Sequence, residues 1–143
     1  MVEEGKGTSG RTLRLEVVTP ERIVLSTQVD SLILPGALGY LGVLPGHAPL
    51  VTHLTPGVVF YRYRGEEKRL AVSGGLVEIT GDQVLLLADT AEKAEEIDVE
   101  RAWRAKERAE QRLKERPPGL DIARAESALK RAIARLKAAG QLN

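Results

Sequence analysis

The residue pattern of the chain changes in kind near Glu92. From Leu13 to Ala88, β-branched and aliphatic residues form short runs punctuated by Gly, Pro and Asp, which is typical of short strands. After Glu92, Ala, Glu, Lys and Arg dominate, and Gly and Pro are absent until Pro117-Pro118-Gly119. This second pattern is typical of two helices joined by a turn. The sequence therefore predicts an N-terminal β domain followed by a C-terminal antiparallel αα hairpin.

The β part contains several strand candidates. In the first, Leu13, Leu15 and Val17 alternate with polar residues, so that one face is apolar. The other candidates are 23–25, 32–34, 58–63, 69–72, 76–79 and 84–88. The short glycine-containing links 64–66 and 80–83 favour antiparallel pairing, and we expect an antiparallel β-sandwich of two sheets. Gly74-Gly75 indicates a bulge or a close backbone approach.

Two aspartates, Asp98 and Asp121, stand where the helices are expected to begin and to be capped. The expected inward stripes are Ala102, Ala105, Ala109 and Leu113 on the first helix, and Ile122, Ala125, Leu129, Ala132 and Leu136 on the second. Alanine buries little apolar area, so we expect the hairpin to separate readily. The second helix, 121–139, is on the order of 30 Å long and is expected to act as a mobile arm. A passive packing element is the alternative.

The predicted domain organisation is a disordered tail at residues 1–10, a β-sandwich domain at 11–91 and a helical hairpin at 92–143. The net charge also differs between the N-terminal and C-terminal parts of the chain. Residues 1–96 contain 9 Lys and Arg against 13 Asp and Glu (net −4), whereas residues 97–143 contain 12 against 7 (net +5). The basic segment indicates an acidic partner, and a solvated helix surface is the alternative.

Composition excludes several classes of protein. No apolar run approaches the roughly 18 residues that cross a bilayer, and the polar start at residues 1–10 lacks the apolar centre of a signal peptide. The absence of cysteine excludes disulfides, thiolate catalysis and cysteine-ligated zinc. We therefore expect the cytoplasm as the compartment.

No catalytic or metal-binding arrangement is recognisable. His47 and His53 have no cluster of acidic residues nearby to complete a metal shell, and Ser73 lacks the Gly-x-Ser-x-Gly pattern. The glycines at 36, 39 and 42 do not form a dinucleotide or phosphate-loop motif. We expect a noncatalytic protein that requires no metal and no cofactor.

The segment from Gly39 to Leu50, Gly-Tyr-Leu-Gly-Val-Leu-Pro-Gly-His-Ala-Pro-Leu, is expected to be a loop of one fixed shape. Gly39, Gly42 and Gly46 are expected to adopt φ values that other residues resist, and two prolines fix φ. This block resembles a loop near the start of the epsilon subunit of F-type ATP synthases, the delta subunit of mitochondrial enzymes. The similarity extends from about Leu13 to Leu136.

The resemblance implies ATP as a regulatory ligand. The segment Ile97-Asp98-Val99-Glu100-Arg101-Ala102 resembles the Ile/Leu-Asp-x-x-Arg-Ala motif with which some bacterial epsilon subunits bind ATP, and a second copy begins at Leu120. The positions that match the family's nucleotide site are Glu92, Ile97, Asp98, Arg101, Ala102, Arg108, Arg131 and Arg135. Guanidinium groups gathered between two helices repel one another until an anion neutralises them.

The resemblance also implies a role and partners. Members of the family are noncatalytic rotor subunits in the central stalk of a proton-translocating ATP synthase, at the cytoplasmic face of the bacterial membrane. Its β-sandwich binds the gamma subunit and the c-ring, which here implies Gly39, Tyr40, Leu41, Gly42 and His47. Its helices extend toward the beta subunit and inhibit ATP hydrolysis. Residues assigned to that contact by charge are Arg104, Arg112, Arg116, Arg124, Lys130 and Arg131.

A basic binding module for nucleic acid or for an acidic protein is the competing hypothesis, because neutralising phosphate needs only clustered Lys and Arg. Five glutamates are interleaved along the helices and weaken that positive field. Trp103 is the single aromatic residue there. We therefore expect no nucleic-acid partner.

Overall fold

The computed structural model describes residues 11–143, so the predicted disordered tail at 1–10 lies outside the described residues. The strands are β1 (Leu13–Val18), β2 (Ile23–Val29), β3 (Ser31–Gly36), β4 (Gly39–Val43), β5 (Leu50–Leu54), β6 (Gly57–Tyr63), β7 (Glu66–Val72), β8 (Gly75–Thr80), β9 (Gln83–Ala88) and β10 (Ala91–Lys93). A 3₁₀ turn (Ala94–Glu96) leads to α1 (Val99–Glu115) and α2 (Ile122–Ala138). The predicted domain division between 91 and 92 falls inside β10. Among residues 11–143, no helix has the length and apolar character needed to span a bilayer.

The strands form one sheet that folds over on itself, in the order β10-β7-β6-β3-β5-β8-β9-β1-β2, with β4 paired to β3 outside this path. Its two ends, β10 and β2, come into contact, so the sheet almost closes around the core. The expected β-sandwich followed by a helical hairpin is confirmed. Antiparallel pairing is wrong for one pair, because β1 and β9 run parallel. These two strands lie far apart in the sequence, so no tight turn sets their relative direction.

The sandwich core follows from the alternation seen in the sequence. Leu13, Leu15 and Val17 of β1 are fully buried, while their neighbours along the strand are only partly buried. The predicted links 64–66 and 80–83 join β6 to β7 and β8 to β9, and the turns themselves occupy only 64–65 and 81–82. A close backbone approach is confirmed at Gly75, where a Cβ atom would lie 2.0 Å from the carbonyl oxygen of Leu87.

The segment 39–50 is not a loop throughout. Residues Gly39–Val43 form β4, which makes a hairpin with β3, and Leu50 begins β5. Gly39 and Gly46 have the expected positive φ values of 122° and 87°. The expectation for Gly42 is wrong: its φ is not positive, because it lies within β4, opposite Ile33.

Helix α2 lies between the sheet and α1. Its buried residues on the predicted stripe are Ala125, Ala132 and Leu136, and those of α1 are Ala102 and Ala109. Ile122, however, is 40% exposed, so its place on the buried stripe was predicted wrongly. It is the first residue of α2, at the tip of the hairpin. There, the connection at 116–121 leaves its side chain open to solvent.

Candidate functional site

The starts of both helices are fixed by the predicted caps. Asp98 accepts a hydrogen bond from the backbone N–H of Arg101 at 3.1 Å, and Asp121 accepts one from the N–H of Arg124 at 3.0 Å. Each carboxylate satisfies a donor that the first helical turn leaves unpaired, and places negative charge at the positive end of the helix dipole. Both predicted caps are confirmed.

A small apolar cluster attaches the hairpin to the sandwich, and we call it the docking cluster. It contains Val58 of β6, Ala71 of β7, Ile97, and Ala134 and Ala138 of α2. It is separate from the main core of the sandwich. Four of its five buried members are alanine or valine, and the partly buried Phe60 and Ala139 pack against them, so the contact buries few large apolar side chains. The hairpin is therefore held to the sheet by little apolar area.

A groove runs along the exposed side of the hairpin between α1 and α2, with a volume of about 660 Å³. Alanines from both helices form its floor, including Ala105 and Ala109 on α1 and Ala128 on α2. Five arginines line it: Arg108 and Arg112 on α1, and Arg124, Arg131 and Arg135 on α2. We call it the arginine groove.

At the base of the hairpin, Arg131 and Arg135 also line a smaller cavity of about 120 Å³ against the sheet. Glu92 of β10 accepts a hydrogen bond from Nε of Arg135 at 2.6 Å. The hydroxyl of Thr90 donates to Oγ of Ser73 at 2.7 Å in the same cavity. This cavity, which adjoins the base of the arginine groove, therefore combines two guanidinium groups, a carboxylate and two hydroxyls.

The arginine groove carries more positive than negative charge. Arg131 donates a hydrogen bond to Oγ of Ser127 at 2.9 Å, and Arg135 is paired with Glu92. Within residues 11–143, the side chains of Arg108, Arg112 and Arg124 make neither an ion pair nor a hydrogen bond. Arginine binds phosphate oxygens through two parallel N–H donors, so a phosphate chain is a suitable counterion.

The structure brings together half of the residues implied to bind ATP. Glu92, Arg108, Arg131 and Arg135 line the arginine groove or the adjoining cavity. The other four do not line either cavity: Ile97 and Ala102 are buried, Asp98 caps α1, and Arg101 is exposed on the first turn of α1.

Sequence reasoning did not place Ser73, Thr90, Arg112 or Arg124 at this site. For Arg112 a local signal exists, because it lies four residues after Arg108 and therefore on the same face of α1. Arg124 lies seven residues before Arg131, again on one helix face. No local pattern identifies the two hydroxyls, because β10 brings Thr90 beside Ser73 only through pairing with β7.

The residues assigned to a beta-subunit contact do not share one face of the folded hairpin. Arg112, Arg124 and Arg131 line the arginine groove. Arg104 and Lys130 are exposed on the helices and do not line it. Arg116 has a φ of 49°, ends α1 and donates from Nε to the carbonyl oxygen of Leu113 at 3.2 Å.

The β3–β4 hairpin carries four of the five residues implied to contact the c-ring or gamma: Gly39, Tyr40, Leu41 and Gly42. The hydroxyl of Tyr40 accepts a hydrogen bond from the backbone N–H of Val58 at 3.0 Å, while its side chain remains 56% exposed. The turn residue Leu38 is fully exposed, and Leu44 is 64% exposed. An apolar surface therefore lies at this end of the sandwich.

The fifth residue of that set, His47, lies in the loop after β4, which Asp82 anchors. Oδ1 of Asp82 accepts a hydrogen bond from the N–H of Gly46 at 2.8 Å, and its other oxygen is paired with Arg11. The hydrogen bond from Arg11 is the main cause that lowers the pKa of Asp82, and the hydrogen bond from the Gly46 N–H is the second. Nδ1 of His47 lies 2.6 Å from the carbonyl oxygen of Ala48.

The segment 94–98 connects the sandwich to the hairpin, and we call it the hinge. Both terminal nitrogens of Arg22 donate to the carboxylate of Glu96, each at 3.1 Å. Glu96 also accepts from the N–H of Lys93 at 2.9 Å. The Arg22 hydrogen bond and then the Lys93 hydrogen bond lower the pKa of Glu96. An ion pair between Glu96 and Arg22 therefore links the hinge to the β1–β2 connection.

Comparison with known proteins gives one consistent result. Residues 12–94 match the family model "ATP synthase, Delta/Epsilon chain, beta-sandwich domain", and residues 95–140 match "ATP synthase, Delta/Epsilon chain, long alpha-helix domain". The ATP synthase epsilon chain of Moorella thermoacetica is 64% identical over 92% of this chain and 98% of its own length. The epsilon chain of Desulforamulus reducens is 51% identical over 90% and 98%. A chain from the Euglena gracilis mitochondrial ATP synthase (OSCP/F1/c-ring) is 27% identical, with a TM-score of 0.78 over 94% of this chain and 85% of that one.

Proposed function

The chain belongs to the epsilon chains of the ATP synthase delta/epsilon family, and from this premise we propose that it is a regulatory, noncatalytic subunit of the central stalk. Its sandwich links gamma to the c-ring of a proton-translocating enzyme. Its hairpin restrains ATP hydrolysis when it leaves the sandwich and reaches the beta subunit. It is held peripherally at the cytoplasmic face of the bacterial membrane, through the complex.

We propose that ATP binds at the base of the arginine groove and stabilises the folded hairpin. This rests chiefly on Arg131 and Arg135, which line both the arginine groove and the adjoining cavity bordered by Glu92, and on Arg108, which lines the groove. A triphosphate would reduce the mutual repulsion of these guanidinium groups. It would contact α1 and α2 together, so that its binding free energy opposes their separation.

Release of the hairpin is supported by how weakly it is attached. The docking cluster is small, and the remaining links are polar and partly exposed to solvent, such as Glu92 to Arg135 and Arg22 to Glu96. Exposed ion pairs contribute little because water screens them. An acidic surface on another subunit can therefore replace these contacts.

The two proposed ligands compete for one side chain, because Arg131 is in both the ATP set and the beta-contact set. A guanidinium that binds phosphate inside the groove cannot also pair with a carboxylate of the beta subunit. ATP binding would therefore favour the folded hairpin and oppose inhibition.

For the sandwich we propose contact with the c-ring and gamma through the β3–β4 hairpin and the loop that holds His47. The support is the exposed apolar surface formed by Leu38, Tyr40 and Leu44. Such a surface is stabilised when another protein removes it from water.

The test is titration of the purified chain with ATP by calorimetry. Loss of a charge-assisted phosphate contact in Arg131→Ala is expected to weaken binding about tenfold or more. Arg104→Ala removes the same charge from outside the groove and is expected to bind as the wild type does. Arg101→Ala measures whether the start of α1 contributes. Equal affinity in the Arg131 and Arg104 variants would contradict the proposed ATP site.

A further inference from the structure

The arginine groove extends well beyond the proposed triphosphate position. On α2, Arg124 and Arg135 are eleven residues apart, which corresponds to about 16 Å along the helix. On α1, Arg108 and Arg112 lie one turn apart and face the same groove. Because the helices are antiparallel, Arg112 and Arg124 lie toward the hairpin tip, and Arg135 lies at the base. The arginines therefore extend along the whole groove; we call Arg108, Arg131 and Arg135, the arginines of the proposed ATP site, the base group, and Arg112 and Arg124 the tip group.

The lining of the groove suits phosphate and offers little to a nucleotide base. No aromatic side chain lines the part of the groove that the structure describes, so there is no ring on which a base could stack. Among residues 11–143, Asp121 supplies the single carboxylate of the lining, and it already accepts the capping hydrogen bond of α2. Alanines on the floor leave room for a ligand to reach the guanidinium groups.

We propose that the arginine groove is a binding site for linear phosphate chains, and that inorganic polyphosphate occupies both groups of arginines. This inference rests on the proposed nucleotide site and extends it. A triphosphate contacts only the base group of Arg108, Arg131 and Arg135. A longer chain also contacts Arg112 and Arg124 at the tip. Affinity therefore increases when the chain is extended beyond three phosphates.

The experiment compares three probes on the full-length chain by calorimetry: ATP, inorganic tripolyphosphate and a longer linear inorganic polyphosphate. Tripolyphosphate is expected to bind with an affinity within about threefold of that of ATP, because the adenine ring of ATP contributes little to binding. The longer chain is expected to bind about tenfold more tightly, because it gains charge-assisted contacts at the tip. Polyphosphate concentrations are expressed as polyphosphate molecules and not as phosphate units, so that the dissociation constants of the three probes can be compared directly.

Matched variants separate the groove from general charge attraction. The double variant Arg112→Ala, Arg124→Ala is expected to lose the gain with chain length and to keep its ATP affinity. The control Arg104→Ala, Lys130→Ala removes equal charge outside the groove and is expected to keep the gain. Unfolding temperatures without ligand verify that both variants are folded.

Each other outcome overturns the inference. If ATP binds and tripolyphosphate does not, the groove recognises the nucleoside, while the proposed ATP site stands. If the control variant loses the gain equally, or if polyglutamate of matched charge competes equally well, the attraction is nonspecific. If neither ATP nor any phosphate chain binds, the inference and the proposed ATP site fail together.

Discussion

Replacing Ile97 with Ala tests whether the hairpin is a separately releasable unit. Ile97 is 9% exposed and is the largest apolar side chain among the buried residues of the docking cluster. It lies in the hinge, between the charged contact of Glu96 and the cap of α1. Its removal would therefore weaken docking of the helices without touching the main core of the sandwich.

The magnitude follows from the atoms removed. The substitution deletes three carbon atoms, each worth about 0.8 kcal/mol when buried, which gives about 2.4 kcal/mol. Incomplete collapse of the resulting cavity increases this cost, since buried Ile-to-Ala changes cost roughly 2 to 5 kcal/mol. A loss of about 2.4 kcal/mol corresponds to an increase of about 50-fold in the equilibrium constant for hairpin opening.

The assay is hydrogen exchange resolved along the chain, with tryptic cleavage after Lys93, next to the hinge, as a second readout. Ile97→Ala is expected to lower the opening free energy of α1 and α2 and to leave that of β1 and β9 unchanged. The matched control is Ile79→Ala, which deletes the same atoms from the main core, where Ile79 is 1% exposed. The control is expected to destabilise the strands. If Ile97→Ala lowers protection of helices and strands equally, the molecule opens as one unit and the proposed release of the hairpin is refuted.

Three further predictions concern individual contacts. Gly75→Ala places a Cβ atom 2.0 Å from a backbone carbonyl oxygen at a residue with a φ of 136°, so we expect thermal unfolding to show loss of the folded sandwich. In the control Gly42→Ala the new Cβ atom meets open space, and the free energy of unfolding is expected to change by less than about 0.5 kcal/mol. The hydrogen bond from Arg22 lowers the pKa of Glu96, so their contact stabilises the hinge at pH values above the pKa of an unfolded glutamate, about 4.3. This stabilisation is lost as the pH falls through the lower pKa of folded Glu96. Hydrogen exchange of the hinge at a series of pH values measures the loss, and Arg22→Ala is expected to abolish most of this pH dependence. Arg69 donates to a carbonyl oxygen of the last turn of α2 at 3.0 Å, so Arg69→Ala is expected to lower protection of that turn by about 1 kcal/mol, and an unchanged exchange rate would contradict this.

Local features of the fold were predictable from the sequence because they depend on neighbouring residues. Alternation along β1 identified its buried face, and Gly65 and Gly81 identified tight turns, at which both have positive φ. Asp98 and Asp121 were identified as caps from their position before helix-forming residues. Each of these features involves hydrogen bonds or dihedral angles within a few residues.

The errors concern contacts between distant residues. The parallel pairing of β1 with β9 was not predicted. Strand β4 was read as loop because it contains Gly39 and Gly42, and β5 was not identified as a strand. Ile122 fits the period of the buried stripe, but nothing covers it at the hairpin tip. Periodicity gives the direction of a side chain from its helix axis, and it does not show whether another element lies there.

The sequence by itself determined a strand-rich domain, two capped helices, a basic C-terminal segment and family membership, because composition, periodicity and motifs are properties of the chain alone. Only the tertiary structure decided which charges share one groove. It brought Glu92 of β10 to Arg135, divided the arginines of two helices between the groove and the outer faces, and left Arg101 outside both cavities. Such groupings depend on how the helices pack against each other and on the sheet, and these contacts join residues that are far apart in the sequence.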